Sequence, residues 1–403
     1  MIKVLDKSKC CGCEACVQIC PKHCISFNAD EEGFRYPVVA SDLCIDCGLC
    51  EKVCPVINKK DKRVPIQSFA AKNPCESERL RSSSGGIFIV LAKEVLNQGG
   101  VVFGARFDES WNVVHSYTDS VDGIEPFLGS KYVQSRIGDS YVKAKEFLLT
   151  GRKVLFSGTP CQIAGLRLFL RKEFENLITV DLICHGVPSP GIWQQYLSEI
   201  LTQQDNATIE SITFRDKSSG WKNYRFIVTL SKFLSAGKKQ TFRVSHLHDE
   251  DPFFQGFNDY NLILRPSCMK CPSRNLRSGS DITLADFWGI ETLIPEFDDD
   301  KGVSVIMVNT ESGLKMVNSL CIESHPVKYD DIVSRNSSIM IDSLPQKSSF
   351  VDVIKYRTRL KTRRDYFFYK SKYSVIKRVQ LFGKITLEQK LYFILLRIYH
   401  KLI

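Results

Sequence analysis

The sequence contains no run of about 18 consecutive apolar residues, which excludes a membrane-spanning helix. Its opening residues, MIKVLDKSK, lack the apolar segment of a secretory signal peptide. We therefore expect a cytoplasmic protein, in a reducing compartment where clustered cysteines bind metals and do not form disulfides. With 403 residues, 43% hydrophobic and 11% aromatic, the chain does not have the composition of a disordered protein and can bury a core in two or three units.

Most of the chain also lacks an excess of charge. The net charge is +10, but residues 351–403 carry fourteen Lys or Arg against three Asp or Glu, a net charge of +11. The remaining residues are therefore close to neutral, and the basicity belongs to a C-terminal tail. The net charge gives no indication of what the main body binds.

Cysteine, in contrast, is abundant, and six of the 16 cysteines lie in the stretch CCGCEACVQICPKHC. This stretch contains a C-x2-C-x2-C-x3-C-P frame that recurs 34 residues later. In such frames three closely spaced thiolates hold one 4Fe-4S cluster, and the fourth cysteine ligates the other cluster. We therefore predict one cluster on Cys10, Cys13, Cys16 and Cys54, and a second on Cys44, Cys47, Cys50 and Cys20.

Zinc is the alternative metal, but zinc sites seldom use three cysteines at successive three-residue steps. Cys11 and Cys24 lie outside the frames, and we interpret them as spare thiols near the clusters. Between the frames, ISFNADEEGFRYPVV alternates around an acidic turn with Gly33 and predicts a hairpin. Residues 1–58 thus resemble a bacterial two-cluster ferredoxin, and we place the end of this domain at residue 60.

Two turns behind the ferredoxin domain are candidates for a redox cofactor. At Ser82–Gly86 the sequence SSSGG precedes a helical pattern, which suits either a cofactor phosphate or an ordinary N-cap. Further on, a strand at Val154–Ser157 leads through Gly158-Thr159-Pro160 into a helix from about Cys161. Such a turn lies at the strand edge where open α/β sheets hold ligands. The next apolar strand delivers Cys184 and His185 to the same kind of turn.

Four cysteines of the body remain to be explained: Cys161, Cys184, Cys268 and Cys271. Four thiolates match one further 4Fe-4S cluster or a structural zinc. Their spacing is irregular, so only the tertiary structure can bring them together. Cys75 and Cys321 have no partner pattern and are interpreted as single thiols.

Several polar residues of the body are expected to be structural. Asp281 and Asp286 bracket a predicted strand and either pair with Arg274 or Arg277 or act on substrate, and we favour the pairing. HLHDEDPFF is either a metal site or a solvated loop before a helix, and we favour the loop. Alternating patterns predict three strands, at Thr208–Arg215, Tyr224–Ser231 and Thr241–Ser245.

Several motifs in fixed order resemble the family of coenzyme F420 hydrogenase/dehydrogenase beta subunits. They are SSSGG, GSKYVQS at Gly129–Ser135, GTPCQIAGLR at Gly158–Arg167, DLICHGVPSP at Asp181–Pro190, and CMKCPSR with SDITLADFWG at Cys268–Gly289. The resemblance runs from about Cys10 to Asn309. It implies an iron–sulfur flavoprotein oxidoreductase that binds FAD and exchanges electrons with a two-electron partner such as an organic substrate or a deazaflavin coenzyme.

The resemblance also implies site residues, although it assigns no catalytic residue. It makes Cys161, Cys184, Cys268 and Cys271 the ligands of a third 4Fe-4S cluster beside the flavin. The flavin surroundings that it implies are Ser84, Gly85, Gly86, Lys131, Gln134, Ser135, Gly158, Thr159 and Gln162.

The expected fold is therefore a multidomain α+β or α/β protein. A two-cluster ferredoxin module at residues 1–60 precedes a mixed α/β flavin-binding body, divided into family domains at 61–150 and 151–345. A helical basic tail occupies residues 346–403, with apolar residues at helical spacing at Leu387, Leu391, Ile394, Leu395 and Ile398. We expect this tail to dock on the inner face of a membrane or on a partner, or else to pack as a plain helix on the body.

Three functions fit these features. The first is an enzyme that takes single electrons from a ferredoxin-like donor and accumulates two on the flavin. The second is an electron-relay subunit of a larger redox complex. The third, a zinc-stabilised nucleic-acid binder that uses the basic tail, is the least favoured, because the cysteine frames indicate iron.

Overall fold

The structure is a computed structural model and describes residues 1–205, 207–233, 238–335 and 343–344. The predicted tail at 346–403 lies outside the described residues. Within the described ranges, no helix combines the length and the apolar character needed to cross a bilayer.

The front module consists of two short helices and a hairpin. The hairpin pairs β1 (Ile25–Ala29) with β2 (Arg35–Val39) in antiparallel register, which confirms the predicted hairpin. The helices α1 (Ala15–Gln18) and α2 (Leu49–Lys52) each carry the third cysteine of a frame. The 34-residue repeat extends to the backbone, because positive φ angles occur at Gly12 and Glu14 and again at Asp46 and Gly48.

The body is built on an eight-stranded mixed sheet with the order β13-β3-β12-β11-β7-β6-β4-β5. Its central strands β11, β7, β6 and β4 run parallel to one another. The outer pairs, β11–β12, β12–β3, β3–β13 and β4–β5, are each antiparallel. The segments on either side of residue 150 share this sheet. The strands are β3 (Gln67–Lys72), β4 (Val101–Phe107), β5 (Val113–Thr118), β6 (Val154–Ser157), β7 (Leu177–Leu182), β11 (Ile282–Asp286), β12 (Ser304–Val308) and β13 (Glu323–Pro326).

A second sheet of three antiparallel strands has the order β10-β9-β8. Its strands β8 (Thr208–Asp216), β9 (Arg225–Phe233) and β10 (Lys239–Leu247) confirm the three predicted strands with boundaries shifted by up to two residues. The sheet packs through Phe214 and Phe226 against Trp193 and Phe253 in an aromatic core. Phe107 of β4 also stacks on Trp193, so the aromatic core joins this layer to the main sheet.

Helices cover both faces of the main sheet. Successive residues of each strand point to opposite faces, so each strand contributes side chains to two cores. Val102 packs in the core of one face, with residues of α4 and α10. Val101 and Phe103 pack in the core of the other face with α5, α6 and, from the front module, Ala15 and Val53. The body helices are α3 (Glu76–Arg81), α4 (Ile87–Asn97), α5 (Ser140–Leu149), α6 (Pro160–Leu170), α7 (Pro190–Gln203), α8 (Pro252–Phe254), α9 (Ile290–Leu293), α10 (Glu311–Asn318) and α11 (Tyr329–Arg335).

The front module is therefore not tethered loosely but shares a hydrophobic core with the body. Helix α1 packs on α6, and the Gln18 side chain accepts hydrogen bonds from the backbone amides of Tyr141 and Val142 at the start of α5. Burial of this shared core fixes the distance between the cysteine frames and the body.

The expected pairing of the two aspartates needs correction. Both carboxylates form buried ion pairs, but not with Arg274 or Arg277. Asp281 accepts from Arg167 at 2.6 Å and Asp286 accepts from Arg215 at 2.7 Å. The reason is topological, because α6 and β8 carry these two arginines to the ends of β11. Arg274 instead donates to the carbonyl oxygens of His185 and Cys268.

The HLHDEDPFF segment begins with the last two residues of β10 and continues as a loop before α8, as predicted, but it is not solvated throughout. Asp251 is fully buried, caps α8 through Phe253 and Phe254, and accepts hydrogen bonds from Tyr196 and, at 2.9 Å, His246. Its carboxylate thus serves as a helix cap and a packing contact.

Candidate functional site

The first frame surrounds a cavity in the front module. Cys10, Cys13, Cys16 and Cys54 all line it, as the sequence predicts for the first ligand set. Burial raises the pKa of the Cys16 thiol well above its usual range, and the neighbouring Cys10 and Cys54 thiols raise it further. Such a thiol ionises readily only beside a positive ion, so the cavity has the chemistry of a metal site.

The second frame surrounds another cavity of the front module. Cys20, Cys44, Cys47 and Cys50 line it together with Cys24, which is not part of the frame. The Cys24 sulfur lies 3.4 Å from the Cys20 sulfur. Cys47 is exposed, and Leu43 and Ile45 beside it expose more than half of their surface. This cavity therefore lies at the outer end of the front module.

Each cavity is lined by the four cysteines that the sequence predicts as ligands of one 4Fe-4S cluster. Among the residues that the structure describes, no three His, Cys, Asp or Glu side chains converge closely enough to hold a single metal ion.

The four irregularly spaced cysteines of the body come together at one edge of the main sheet. Burial raises the pKa of the Cys184 thiol, and its proximity to Cys268, Cys161 and Cys271 raises it further. Burial likewise raises the pKa of Cys268 to about 12 and that of Cys271 to about 11. We call these four residues the inner cysteine group.

The fold explains why the inner cysteine group assembles. Strands β6 and β7 are adjacent and parallel, so the residues after their carboxyl ends, Cys161 and Cys184, meet at the same edge. The segment with the remaining two cysteines is held there by its backbone. Arg265 N–H donates to Val187 O at 3.0 Å, and Val187 N–H contacts the Cys268 sulfur at 3.4 Å.

A buried thiol joins the front module to the inner cysteine group. Cys11, interpreted from the sequence as a spare thiol, is buried in the same hydrophobic cluster as Cys13, and Cys161 packs against that cluster. Helix α6 approaches closely, since a Cβ on Gly165 would lie 3.0 Å from the Cys13 sulfur. The front cavity and the inner cysteine group are therefore separated only by the side chains in contact here.

The three loops with the implied flavin residues contact one another at the same edge of the sheet. Ser130 N–H donates to Ser83 Oγ at 2.6 Å, which joins the SSSGG and GSKYVQS loops. Gln162 Nε2 donates to Ser135 Oγ at 2.9 Å, which joins GSKYVQS to the GTPCQ turn. Gln162 also forms a capping box with Thr159 at the start of α6, and Gly158 packs against the same Gln162 side chain.

Many of these side chains already have protein partners. Ser84 Oγ donates to Val303 O at 2.9 Å, and Gly85 packs so tightly that a Cβ there would lie 2.4 Å from Ala71 O. Gly86 is the N-cap of α4 with φ of 81°, and no side chain caps this helix. The amides of its first turn are therefore the groups of the SSSGG loop that remain available to an anion.

Lys131 lies in the same region and is partly buried. Its Nζ donates to Leu128 O at 2.9 Å and Gly129 O at 3.1 Å, and burial lowers its pKa to about 7. A nearby anion would restore the charge of this amine.

Sequence reasoning missed two buried basic residues beside these loops. Lys217 Nζ donates to the carbonyl oxygens of Arg79, Ser84 and Lys301, and burial lowers its pKa to about 7. Arg265 is 1% exposed and contacts the first cysteine frame. The sequence pattern that indicates Arg265 is a single charge between the segment NLIL and the CMKC motif. A charged residue beside an apolar run is seldom buried without a partner.

Comparison with family models identifies two segments of the chain. Residues 151–333 match the model for the C terminus of the beta subunit in coenzyme F420 hydrogenase/dehydrogenase. Residues 9–58 match the 4Fe-4S dicluster domain. Together these matches agree with the order of motifs that the sequence presents.

Curated relatives match about half of the chain. A coenzyme F420-dependent sulfite reductase of Methanocaldococcus jannaschii is 29% identical over 191 residues, which cover 46% of this chain and 29% of that protein. A subunit of the F(420)H(2) dehydrogenase from Methanosarcina mazei is 23% identical over 196 residues, covering 45% of this chain and 55% of that protein. The chain thus spans at most about half the length of these relatives.

Among solved structures, a chain of the F420-reducing [NiFe] hydrogenase complex from Methanosarcina barkeri matches with a TM-score of 0.44 and 16% identity. The match covers 76% of this chain and 95% of the other.

Proposed function

Because the chain belongs to the family of coenzyme F420 hydrogenase/dehydrogenase beta subunits and carries a 4Fe-4S dicluster domain, we propose that it is an iron–sulfur flavoprotein oxidoreductase. In this proposal the two front frames would hold 4Fe-4S clusters, which supply one-electron transfer, and the inner cysteine group would hold a third. The three loops would hold FAD, which supplies two-electron exchange with an organic substrate or a deazaflavin coenzyme. The direction of flow depends on the potentials of donor and acceptor.

One observation carries the proposal: Cys11 packs in one hydrophobic cluster with a cysteine of the first frame and a cysteine of the inner cysteine group. Cys13 lines the front cavity and is buried in this cluster with Cys11, and Cys161 at the start of α6 packs against the same cluster. Electron transfer requires redox centres close together, and these contacts support such an arrangement.

The donor set fits a third cluster. Burial and neighbouring thiols raise the pKa of Cys184, Cys268 and Cys271, and Cys11 and burial raise that of Cys161, so the four thiols form a site that gains most from a positively charged group. Cys161 and Cys184 come from the ends of parallel strands, and Cys268 and Cys271 come from one C-x2-C loop. Thiolate ligation by cysteine suits iron–sulfur clusters.

The groups at the junction of the three loops also suit a flavin. The uncapped N-terminus of α4 and Lys131 would hold the pyrophosphate, because backbone amides and a basic side chain stabilise anions. Gln134, Ser135 and Gln162 would shape the site by holding the loops together. When bound, the flavin supplies the link between one-electron and two-electron chemistry.

The outer end of the front module would receive the donor. Cys47 is exposed, and its neighbours Leu43 and Ile45 are 59% and 58% exposed. An apolar rim around a redox centre suits transient contact with a ferredoxin-like protein or with another protein of a redox complex.

Anaerobic purification of the full chain tests this function. We expect about twelve iron atoms with matching acid-labile sulfide per chain, and FAD bound in a one-to-one ratio. Iron and sulfide without flavin, even after incubation with FAD, would contradict the flavoprotein part. Zinc without iron would contradict the whole proposal and favour a zinc-stabilised protein.

A second function, electron relay within a larger redox complex, is favoured by the exposed apolar rim and by the names of the relatives, one of which is part of a dehydrogenase. The two functions differ in what the isolated chain does. Stopped-flow mixing of the reduced chain with oxidised coenzyme F420 or another candidate acceptor distinguishes them. Turnover by the isolated chain supports the enzyme, whereas reduction only in the presence of a partner protein supports the relay.

A further inference from the structure

Arg265 is a buried guanidinium at the junction of the front module and the inner cysteine group. It is 1% exposed, and its hydrogen bonds go to the front module and to the GSKYVQS loop. Nε donates to Cys10 O at 2.8 Å, Nη2 donates to Arg35 O at 2.9 Å, and Nη1 donates to Gln134 Oε1 at 2.8 Å. Nη2 also lies 3.6 Å from the Cys10 sulfur.

The acceptors of these hydrogen bonds are neutral oxygens, together with a thiol sulfur. The nearby carboxylate of Glu14 is already paired with Arg35 at 3.3 Å and accepts from Gly138 N–H. A buried positive charge without its own carboxylate is expensive, so it needs a negative partner from elsewhere. Ionised cysteines and the cluster that they hold would supply that negative charge.

The backbone of the same residue belongs to the inner cysteine group. Arg265 N–H donates to Val187 O at 3.0 Å, and Arg265 O accepts from Cys268 N–H at 2.9 Å. Arg265 therefore links the first front frame, which its side chain contacts, to the inner cysteine group, which its backbone contacts.

The position of the guanidinium is fixed from several sides. The Tyr36 ring lies 4.3 Å from the Arg265 Cζ atom, and the Phe34 ring lies 5.4 Å away. Gly12 closes over the group, since a Cβ at Gly12 would lie 2.9 Å from Arg265 Cζ. A buried charge held in this way is screened less than a charge on a mobile, exposed side chain.

We infer that Arg265 is a positioning residue whose fixed charge raises the reduction potentials of the cluster on Cys10 and of the inner cluster, and whose contacts hold the two together. This inference rests on the proposed function. Reduction adds one electron and therefore one negative charge to a cluster, while no bond changes and no proton moves. A guanidinium 3.6 Å from the Cys10 sulfur, on a residue whose carbonyl oxygen accepts from Cys268 N–H, stabilises that added charge.

The second front cluster provides an internal reference. Its predicted ligands surround the outer cavity, where Cys47 is exposed, whereas the hydrogen bonds of Arg265 reach Cys10 in the first frame. Loss of the charge should therefore change the potentials of the first front cluster and the inner cluster more than that of the second.

The experiment compares Arg265→Gln and Arg265→Lys with the wild-type chain, purified anaerobically with intact clusters. The clusters are titrated by redox potentiometry and followed by electron paramagnetic resonance. For Arg265→Gln we expect a fall of at least tenfold in the equilibrium constant for reducing the first front cluster or the inner cluster, about 59 mV for a one-electron couple. Arg265→Lys keeps the charge and should recover most of this shift.

A matched control removes an arginine far from the clusters. Arg152→Gln removes one positive charge before β6, at the end of that strand opposite the GTPC turn, and should leave all potentials unchanged. An equal shift in Arg265→Gln and Arg265→Lys, or no shift in a fully loaded Arg265→Gln protein, would overturn the inference. Loss of iron from both variants would also overturn the inference, since Arg265→Lys keeps the positive charge and the charge would then not suffice to keep the clusters bound. A wild-type chain without iron would instead overturn the proposed function.

Discussion

The front module and the inner cysteine group contain the same kind of ligand but are built in opposite ways. In the front module eight cysteines recur in two frames within 45 residues, and each frame forms a short loop followed by one helical turn. In the inner cysteine group four cysteines come from three segments between residues 161 and 271. Local spacing determines the first arrangement, whereas strand order determines the second.

The difference has consequences for stability. A frame whose ligands are close in sequence loses little chain entropy when it closes around a cluster. The inner cysteine group forms only after β6 and β7 have paired and the 266–271 segment has docked on Val187. We therefore expect the inner site to fail before the front sites when the body is perturbed.

The largest effect should follow loss of an inner cysteine. Cys184→Ser removes one of the four thiols at the strand edge, so we expect the iron content to fall from about twelve to about eight atoms per chain. Reduction of bound flavin by a reduced one-electron donor should slow at least a hundredfold, because the link between front module and flavin is lost. Iron analysis and stopped-flow absorbance measure the two effects.

Cys321→Ser is the matched control, because Cys321 is exposed and outside every cysteine group that the structure describes. It should leave both iron content and rate unchanged. Full iron content in Cys184→Ser would show that the inner cysteine group does not bind a cluster.

Acidification should have a smaller effect, a loss of stability of the body. His115 of β5 is buried, with Nδ1 beside Ser135 Oγ and Nε2 beside Ser157 O. A neutral ring satisfies both contacts if Nε2–H donates to the carbonyl and Nδ1 accepts from the hydroxyl. Burial lowers the pKa of His115 to about 4, so the folded chain resists protonation.

The unfolded chain binds this proton below the usual histidine pKa of about 6.5, whereas the folded chain does not until about pH 4. Stability should therefore fall as the pH falls through this window, by up to about 3 kcal/mol. Thermal unfolding under anaerobic conditions should show a weaker acid dependence for His115→Gln than for wild type. A control, His325→Gln on the exposed strand β13, should keep the wild-type dependence, and an unchanged dependence in His115→Gln would contradict the assignment.

These two regions also show how much the sequence could predict. The hairpin and the strand Val154–Ser157 followed from local alternation and turn residues, and the structure has both. The convergence of Cys161 and Cys184 could be expected, because consecutive parallel strands end at the same edge. The docking of Cys268 beside them could not, since no local pattern encodes a contact with Val187.

The same reasoning explains the wrong pairing of the aspartates. Asp281 and Asp286 were matched to arginines nearby in sequence, whereas Arg167 and Arg215 come from elements that tertiary packing places beside β11. Buried ion pairs are chosen by packing, and sequence distance carries little information about them.

Glycine substitutions sharpen the comparison at the boundary of the two regions. Gly12 and Gly48 both have φ near 70°, but a Cβ at Gly12 would lie 2.6 Å from Gln134 Nε2, whereas Gly48 faces open space. Alanine should cost about 1 kcal/mol at either position for backbone strain. Gly12→Ala should cost about 1–3 kcal/mol more, because it pushes the front module away from the body.

Thermal unfolding of the two variants, measured with loaded clusters, tests this difference. We expect Gly12→Ala to lower the Tm by several degrees more than Gly48→Ala. A larger potential shift or lower iron content in Gly12→Ala would be consistent with the same cause. Equal Tm values for the two variants would show that the front module does not depend on close contact with Gln134 and Arg265.

The smallest effect is expected where the second frame has one thiol too many. Cys24 lines the outer cavity and lies 3.4 Å from Cys20, yet only Cys20 has the spacing of the frame. A cluster needs one thiolate per corner, so Cys24→Ser should leave the iron content and the potential of this cluster unchanged. In Cys20→Ser, either the cluster is lost or Cys24 replaces the missing ligand. The double variant separates these outcomes, since replacement by Cys24 predicts lower iron in Cys20→Ser/Cys24→Ser than in Cys20→Ser. Loss of iron in Cys24→Ser alone would mean that proximity, and not the frame, selects the ligand in the front module, as it does in the inner cysteine group.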